Sequence, residues 1–183
     1  MYNILMFDRD SIKIIKHRFV SDRVFCELLD KFETAHRAFD INSELIIAHF
    51  WAQMAHETGG FRWLRELGGP SYFKRYEGRK DLGNTKPGDG IKYFGRGIIH
   101  LTGKANYEIY SHKISMDLVN EPELAEKPDI AMLIALHYWK DRGINAKAAK
   151  DDLKAVTRAI NGGLNGLTDR ERYLNMLKKE MGI

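Results

Sequence analysis

The sequence predicts a mainly α-helical protein, and three observations support this class. Apolar residues recur with helical spacing over most of the chain, whereas alternating strand patterns are scarce. Capping residues and glycines stand where the apolar segments begin and end. The chain has 183 residues, 44% of them hydrophobic, which is enough for one sizeable core. We therefore expect a single domain over residues 1–183, with a helical N-terminal part, 1–40, and a core, 41–181.

The clearest predicted helix begins at Ser43, a good N-cap, and ends at the pair Gly59-Gly60. Its apolar face consists of Ile46, Ile47, Phe50, Trp51 and Met54. Two further helices are predicted from Asp129 to near Gly143 and from Leu153 to Asn161, where two glycines follow.

The last helix is predicted to begin at Thr168, because Glu171 stands three residues later in the spacing of a capping box. The N-terminal third is also mostly helical in pattern. Within it, Cys26 follows Val24 and Phe25 in an apolar run, which favours a small buried side chain. As the one cysteine, Cys26 excludes an internal disulfide framework.

The stretch from Gly68 to Gly103 differs from the helical segments around it. It is rich in glycine and tyrosine and holds two of the four prolines. A loop of that length inside a compact domain is uncommon and is usually functional. We expect a small lobe here that lines a cleft, with a short hairpin around 92–94.

The charge and hydropathy of the sequence indicate which kinds of molecule the protein could bind. The net charge of +4 favours acidic partners such as nucleic acid, an anionic membrane or an acidic wall polymer. Acidic residues are interspersed among the basic ones, which argues against a nucleic-acid-binding stripe. No apolar run of about 18 residues is available to span a bilayer. The apolar start, 1–7, lacks a basic n-region, so we do not expect a secretory signal.

Glu57 is the first residue with predicted chemistry. It lies at the C-terminal end of the Ser43 helix, beside Phe61 and Trp63. The negative end of the helix dipole and an apolar setting both disfavour an ionised carboxylate, and a protonated carboxyl can act as a general acid. A solvated glutamate at a helix end is the simpler alternative. The dipeptide His56-Glu57 resembles the start of a zinc motif, but Gly60 stands where the second ligand would be, so no metal is expected.

Hydrolysis by acid and base requires a second carboxylate. The glycine-rich stretch and its approach offer Glu66, Glu77, Asp81 and Asp89. Glu77 has polar neighbours that would leave it ionised and able to activate water. Two carboxyls in contrasting environments are the arrangement of a glycosidase.

Three blocks of the sequence resemble glycoside hydrolase family 19, the plant-type chitinases and related phage endolysins. The first is FWAQMAHETGGF (50–61) and the second is YFGRGIIHLTGKANY (93–107). The third is AINGGL (159–164), followed by Asp169-Arg170. They occur in the family's order, and the resemblance spans roughly Ile41 to Met181, about three-quarters of the chain. The segment 76–90 looks more like the bacterial and phage branch than the plant enzymes.

The resemblance implies a lysozyme-like α+β fold and an inverting mechanism without metal or cofactor. It implies that Glu57 is the general acid. We predict Glu77 as the general base, since its longer spacing would let the chain cross the cleft, with Glu66 as the competing residue. In inverting enzymes the two carboxyls lie roughly 6.5–9.5 Å apart, which leaves room for a water.

The resemblance also assigns residues that bind substrate or orient water. Thr102 corresponds to the residue that holds the water, Asn161 and Arg170 to the network that orients the base, and the further positions are Tyr93, Arg96, His100, Asn106 and Tyr107. His100 replaces the family's usual glutamine. Arg170 lies in the first turn of a predicted helix, where a cation is unfavourable, so we expect it to have an acidic partner.

We therefore predict a peptidoglycan-degrading endolysin that cuts β-1,4 glycosidic bonds, with basic residues around the cleft attracting the anionic glycan chain. A chitinase is the alternative within the enzyme class, and a non-catalytic glycan-binding protein is the alternative outside it. We expect a monomer without nucleic-acid partner or stable membrane insertion. It would be made in the host cytoplasm, be exported with a holin-type helper and act in the periplasm.

Overall fold

The computed structural model describes residues 7–183, so most of the apolar start (1–7) lies outside the described residues. In the described part the chain forms ten α-helices. In order, these are α1 (Arg9–Lys13), α2 (Asp22–Ala35), α3 (Glu44–Thr58), α4 (Pro70–Phe73), α5 (Asp89–Lys92), α6 (Lys104–Ile114), α7 (Pro128–Asp141), α8 (Asn145–Ala148), α9 (Leu153–Asn161) and α10 (Leu167–Met181). Four short 3₁₀ helices connect them: His36–Phe39, Lys74–Tyr76, Lys80–Leu82 and Pro122–Glu126.

Extended structure is limited to two isolated antiparallel bridges within residues 7–183, between Arg65 and Arg96 and between Arg96 and Leu101. The predicted hairpin at 92–94 is wrong. Lys92 is the last residue of α5, and the amide of Tyr93 still donates to the Asp89 carbonyl in a helical bond of 2.9 Å. The next residue, Phe94, is buried and stacks on Phe73 with 4.1 Å between ring centroids.

Helix α3 occupies the centre of the core and packs against α10. It is apolar around most of its circumference, which is typical of a helix enclosed by others. Its Trp51 is fully buried between Phe32 and Phe61, with ring centroids 5.1 and 5.3 Å away. Each such buried aromatic stabilises the fold by about 2 kcal/mol. This packing gives the end of α3 a rigid base.

Both ends of α3 are confirmed as predicted. The Ser43 hydroxyl accepts a hydrogen bond of 3.3 Å from the amide of Ile46. Gly59 ends the helix with φ 60°, a left-handed conformation that glycine adopts without steric cost. The start of α3 and its end are thus set by local chemistry.

The predicted start of the last helix is wrong. Helix α10 begins at Leu167, and its N-cap is Gly166 with φ 71° and no side-chain capping bond. Thr168 is therefore already inside the first turn, so it does not form the capping box with Glu171. A side chain at position 166 would collide with the ring of His56, so glycine suits this N-cap position.

Cys26 is exposed, contrary to the prediction of a buried thiol. Its neighbour Phe25 is 2% exposed and faces the core from α2. Successive residues of a helix point about 100° apart, and Cys26 falls on the outer side of α2. No helix in the described residues is long and apolar enough to cross a membrane.

A smaller apolar cluster lies beside the main core and supports the glycine-rich stretch. Its buried members are Tyr93, Leu101, Tyr107, Tyr110, Leu118, Ala125, Ile130 and Ile134. Helices α6 and α7 both contribute to it, so the wall that carries Glu66 and His100 rests on a packed layer rather than on solvent.

Candidate active site

Glu57 is the second-last residue of α3, and a tight turn follows it. The Thr58 hydroxyl donates to the Met54 carbonyl (2.7 Å) and accepts from the Phe61 amide (2.8 Å). The Gly60 amide donates to the Ala55 carbonyl (2.7 Å). The chain therefore reverses directly after Glu57, whose side chain is 22% exposed at the surface of the core.

Arg170, in the first turn of α10, holds the Glu57 carboxylate. The arginine is 1% exposed, and its Nη2 donates to Glu57 Oε1 over 2.5 Å. Its Nη1 donates to Gln53 Oε1, also over 2.5 Å, from one helical turn earlier on α3. The expected acidic partner of Arg170 is therefore Glu57, rather than the base. This ion pair ties the end of α3 to the first turn of α10.

Asn161 and Arg170 share a hydrogen-bond acceptor in the loop between α9 and α10. Its Nδ2 donates to the Asn165 carbonyl over 3.0 Å, and its Oδ1 accepts from the Gly163 amide over 2.8 Å. Arg170 Nε donates to that same Asn165 carbonyl over 3.1 Å. Asn161 thus shapes the loop that positions Arg170.

His56 and Asp169 form a second link between α3 and α10, which the sequence did not predict. His56 Nδ1 lies 2.7 Å from Asp169 Oδ2, and Arg172 also donates to this carboxylate. Burial alone would raise the pKa of Asp169, but the hydrogen bonds from His56 and Arg172 outweigh it and lower the pKa. In the sequence, only the resemblance of His56-Glu57 to a metal motif singles out His56.

Glu66 stands on the chain segment that leaves this turn, and backbone bonds fix it to the facing loop. Its amide donates to the Gly95 carbonyl (2.8 Å), and the Gly95 amide donates back to Glu66 Oε2 (3.1 Å). Its Oε1 accepts from Arg75 Nη2 (2.7 Å) and the Tyr76 hydroxyl (2.8 Å). The side chain is 15% exposed, so Glu66 is a half-buried carboxylate in a defined position.

Glu77 is exposed and is bound to its own loop. Its Oε1 accepts from the Gly88 amide over 2.5 Å, and its Oε2 accepts from the Gly90 amide over 2.9 Å. Gly90 lies so close that a Cβ there would be 2.5 Å from the Glu77 amide nitrogen. The visible role of Glu77 is therefore to close the loop 77–90.

His100 and Glu66 are neighbours across Gly95. A Cβ built on Gly95 would lie 3.0 Å from Glu66 Oε2 and 3.1 Å from His100 Cβ, so a larger residue there would press on both side chains. Thr102 Oγ1 donates to the His100 carbonyl and Asn106 Nδ2 to the Thr102 carbonyl, both over 2.7 Å. These three polar residues are all half-buried.

Three of the residues predicted to bind substrate or orient water are buried in the structure. Tyr107 is 0% exposed and donates to the Phe94 carbonyl, and Tyr93 is 2% exposed and donates to the Val119 carbonyl. Arg96 is paired with Glu126 (2.8 Å) and donates to the Tyr107 hydroxyl (3.0 Å). Burial raises the pKa of Tyr107 to about 12, so it stays neutral. These side chains build the wall from behind.

A groove of about 440 Å³ runs along the segment that carries Glu66. The residues that line it are Arg62, Trp63, Leu64, Arg65, Glu66, Leu67, Gly68 and Glu126. Its two acidic residues are both paired, Glu66 with Arg75 and Glu126 with Arg96. In residues 7–183 no group of three or more His, Cys, Asp or Glu side chains is arranged to hold a metal ion.

Known proteins resemble this chain in sequence. The glycoside hydrolase family 19 model, described as class I chitinase, matches residues 1–159. A family 19 domain-containing protein of Haemophilus influenzae is 36% identical over 152 residues, 67% of this chain and 74% of that protein. Endochitinase EP3 of Arabidopsis thaliana is 35% identical over 176 residues, 91% of this chain. The chain spans only 63% of the length of that plant relative.

Solved structures resemble it in fold. Chitinase C from Streptomyces griseus has a TM-score of 0.78 at 22% identity, covering 98% of this chain and 94% of its own. The class IV chitinase of Zea mays has a TM-score of 0.68 at 21% identity, covering 95% and 90%. The mainly α-helical, lysozyme-like fold is thereby confirmed. Because the family model matches most of this chain, residues 1–159, the chain belongs to glycoside hydrolase family 19.

Proposed function

We propose that the protein hydrolyses β-1,4 glycosidic bonds of an N-acetylhexosamine polymer, with Glu57 as the general acid. The observation that carries this proposal is the asymmetric setting of its carboxyl. Oε1 is held by the buried Arg170, whereas Oε2 accepts no hydrogen bond from the residues the structure describes. Oε2 is therefore the oxygen that can carry a proton to the leaving glycosidic oxygen.

We propose Glu66 as the general base in preference to Glu77. Glu66 lines the groove, and its neighbours Arg75, Tyr76 and Gly95 fix its orientation without closing the groove. Glu77 instead has both oxygens bound to amides of its own loop and is not among the residues that line this groove. A base that orients water needs a fixed position beside the substrate, and Glu66 fits that need better.

The family resemblance also assigned residues that bind substrate, orient water or position a carboxylate, and we propose these roles for five of them. His100 lies beside Glu66 across Gly95, and hydrogen bonds link Thr102 to His100 and Asn106 to Thr102. These three half-buried residues are the proposed contacts for water and for the sugar amide. Asn161 and Arg170 position the acid. The mechanism we propose is inverting, so the first product formed should be the α-anomer. Proton NMR of the earliest product tests this, and a β-anomer would contradict inversion.

We propose bacterial peptidoglycan as the substrate, as expected of an endolysin made in the host cytoplasm and exported with a holin-type helper. The support is electrostatic. Arg62 and Arg65 line the groove, and within residues 7–183 neither has a carboxylate within 4.0 Å. Unpaired cations at a groove favour an anionic polymer, and peptidoglycan carries carboxylates where chitin has none.

Chitin is the second candidate substrate, and a specific observation favours it. The Arabidopsis relative and other plant relatives are named endochitinases or chitinases, as are the similar solved structures. A neutral polymer would use the same acid and base, and it would leave the unpaired arginines without a role.

The two substrates are distinguished by measuring release of reducing ends. Purified protein would be incubated with isolated sacculi from a Gram-negative bacterium and, separately, with colloidal chitin. We expect faster release from sacculi, with the difference shrinking at high salt because screening weakens the attraction. Release from chitin alone would overturn the peptidoglycan proposal and leave the hydrolase intact. Release from neither would overturn both.

A further inference from the structure

An exposed strip of alternating arginine and aromatic side chains lies next to the groove. We call Arg18, Phe19, Arg62 and Trp63 the Phe19 strip. The Arg62 guanidinium carbon lies 4.3 Å from the centroid of the Trp63 ring and 5.4 Å from that of Phe19. The Arg18 guanidinium lies 4.8 Å from the Phe19 centroid. The Phe19 side chain is 65% exposed, so the strip presents both an apolar face and charge to solvent.

The strip is attached to the end of the catalytic helix. The His17 amide donates to the Gly60 carbonyl over 2.9 Å, and the Phe19 amide donates to His17 Nδ1 over 3.2 Å. A Cβ at Gly60 would lie 3.0 Å from His17 Cβ and 3.1 Å from the Ile15 carbonyl oxygen. The N-terminal turn thus packs closely on the turn after Glu57, which holds Phe19 in a fixed place.

The two arginines of the strip form no ion pair with the described residues. Within the described residues, neither Arg18 nor Arg62 has a carboxylate within 4.0 Å. The arginines nearest the groove's acids are different, because Arg75 is paired with Glu66 and Arg96 with Glu126. The guanidinium groups of the strip lie over aromatic rings, and a cation–π contact of this kind helps to order them.

The strip and the groove are continuous, because Arg62 and Trp63 belong to both. A polymer in the groove beside Glu66 would pass over Trp63 and reach Phe19. Guanidinium groups bind carboxylates through paired N–H donors, and an exposed aromatic ring offers a flat apolar face for packing. An acidic polymer is complementary to both features.

We propose that the Phe19 strip is a substrate subsite beyond the catalytic groove that binds a carboxylate-bearing part of the glycan. This inference rests on the proposed function, in that the polymer in the groove is peptidoglycan. Arg18 and Arg62 bind the carboxylates, and Phe19 packs against the apolar part of the same segment. The subsite makes the enzyme prefer an acidic glycan over a neutral one.

Binding without turnover is the direct test. In a Glu57→Gln background, co-sedimentation would measure the Kd for sacculi and for the same sacculi after their carboxylates are converted to neutral amides. Arg62→Gln and Arg18→Gln should each weaken binding to untreated sacculi about fivefold, as expected for one exposed charge pair. They should change binding to amidated sacculi little, whereas Phe19→Ala should weaken binding to both.

Matched controls remove one charge or one exposed apolar side chain elsewhere. The charge control is Lys179→Gln, at a residue about 13 Å along α10 from Arg170. The apolar control is Ile109→Ala, which removes a side chain that is 48% exposed on α6. Equal urea midpoints would show that all variants fold. If Arg62→Gln and Arg18→Gln bind untreated sacculi as tightly as Lys179→Gln does, the subsite is wrong.

Different results would contradict the proposed peptidoglycan function and the proposed subsite. Absence of sacculus hydrolysis by the wild-type protein would contradict the peptidoglycan function, whatever the binding data show. Normal hydrolysis together with unchanged binding by the strip variants would contradict the subsite alone.

Discussion

Arg170 and Glu57 are 113 residues apart in the sequence, and their side chains form an ion pair with 2.5 Å between Nη2 and Oε1. The arginine is almost fully buried and has two further partners, Gln53 on the same face of α3 and the carbonyl of Asn165. A guanidinium is suited to this because its fixed planar donors reach several acceptors at once. The pair therefore sets the orientation of the Glu57 carboxyl.

Arg170→Lys should lower kcat by about 100-fold, because a lysine ammonium cannot reach Glu57, Gln53 and Asn165 together and the carboxyl loses its position. Arg170→Met should also lower the free energy of unfolding by about 3 kcal/mol, since it leaves Glu57 without its partner. Steady-state kinetics and urea unfolding measure the two effects. The control is Arg172→Lys, an exposed partner of Asp169. A lysine variant of Arg170 with wild-type kcat would refute the positioning role.

Gly166→Ala should disturb the site from the start of α10. A Cβ there would lie 2.1 Å from the His56 ring, and the residue has φ 71°. The ring must move, which breaks its bond to Asp169 beside the acid. We expect a loss of about 2 kcal/mol in unfolding free energy and a lower kcat.

Gly163→Ala is the matched control for that change. Its Cβ would meet nothing closer than 3.8 Å, and it lies in the same loop. We expect wild-type thermal stability and activity for this variant. Equal melting temperatures for both alanine variants would show that the contact with His56 does not matter.

Glu66→Gln and Glu77→Gln separate the two candidate bases. Glu66→Gln should reduce kcat by about 10³-fold, because an amide cannot accept a proton from water. Glu77→Gln should keep kcat within about twofold and should instead destabilise the loop 77–90, since an amide accepts only one of the bonds from Gly88 and Gly90. Hydrolysis of sacculi and limited proteolysis measure these effects. An inactive Glu77→Gln protein beside an active Glu66→Gln protein would reverse the assignment.

His49 makes stability depend on pH. The side chain is 0% exposed, with Nε2 2.8 Å from Asp151, and Nδ1 has no hydrogen-bond partner among residues 7–183. Burial lowers its pKa below the ordinary 6.5, although Asp151 acts in the opposite direction. Below pH 6.5 the unfolded chain therefore binds a proton that the folded chain does not, and stability falls as the pH falls.

Replacing His49 tests this. The free energy of unfolding of the wild type should drop between pH 7.5 and 5.5 by up to about 1 kcal/mol per pH unit for this group. His49→Gln, which keeps a donor for Asp151, should show a shallower drop, while exposed His112→Gln should match the wild type. The remaining slope would come from His36 and His137, whose pKa values burial also lowers. Identical slopes for all three proteins would contradict the account.

The ends of a helix can be predicted from the sequence where nearby residues determine them. Helix α3 begins and ends as Ser43 and Gly59 indicate, because the cap and the left-handed stop act within a few residues. At the start of α10 the N-cap is Gly166, and its contact with the His56 ring cannot be inferred from neighbouring residues.

The site shows the same division. An arginine in the first turn of a helix indicated an acidic partner for Arg170, but only the packing of α3 against α10 identifies it as Glu57. For Tyr93 and Tyr107, an aromatic ring with a polar tip fits a cleft or a core equally well, and burial decided for the core.

The most direct test of the central claim is the hydrolytic rate of Glu57→Gln on sacculi, with Glu171→Gln as an exposed control on α10. Glutamine keeps an oxygen for Arg170 but cannot serve as the acid, so we expect a rate about 10³-fold below wild type and a wild-type rate for the control. A Glu57→Gln protein that degrades sacculi at the wild-type rate would contradict the assignment of Glu57 as the general acid.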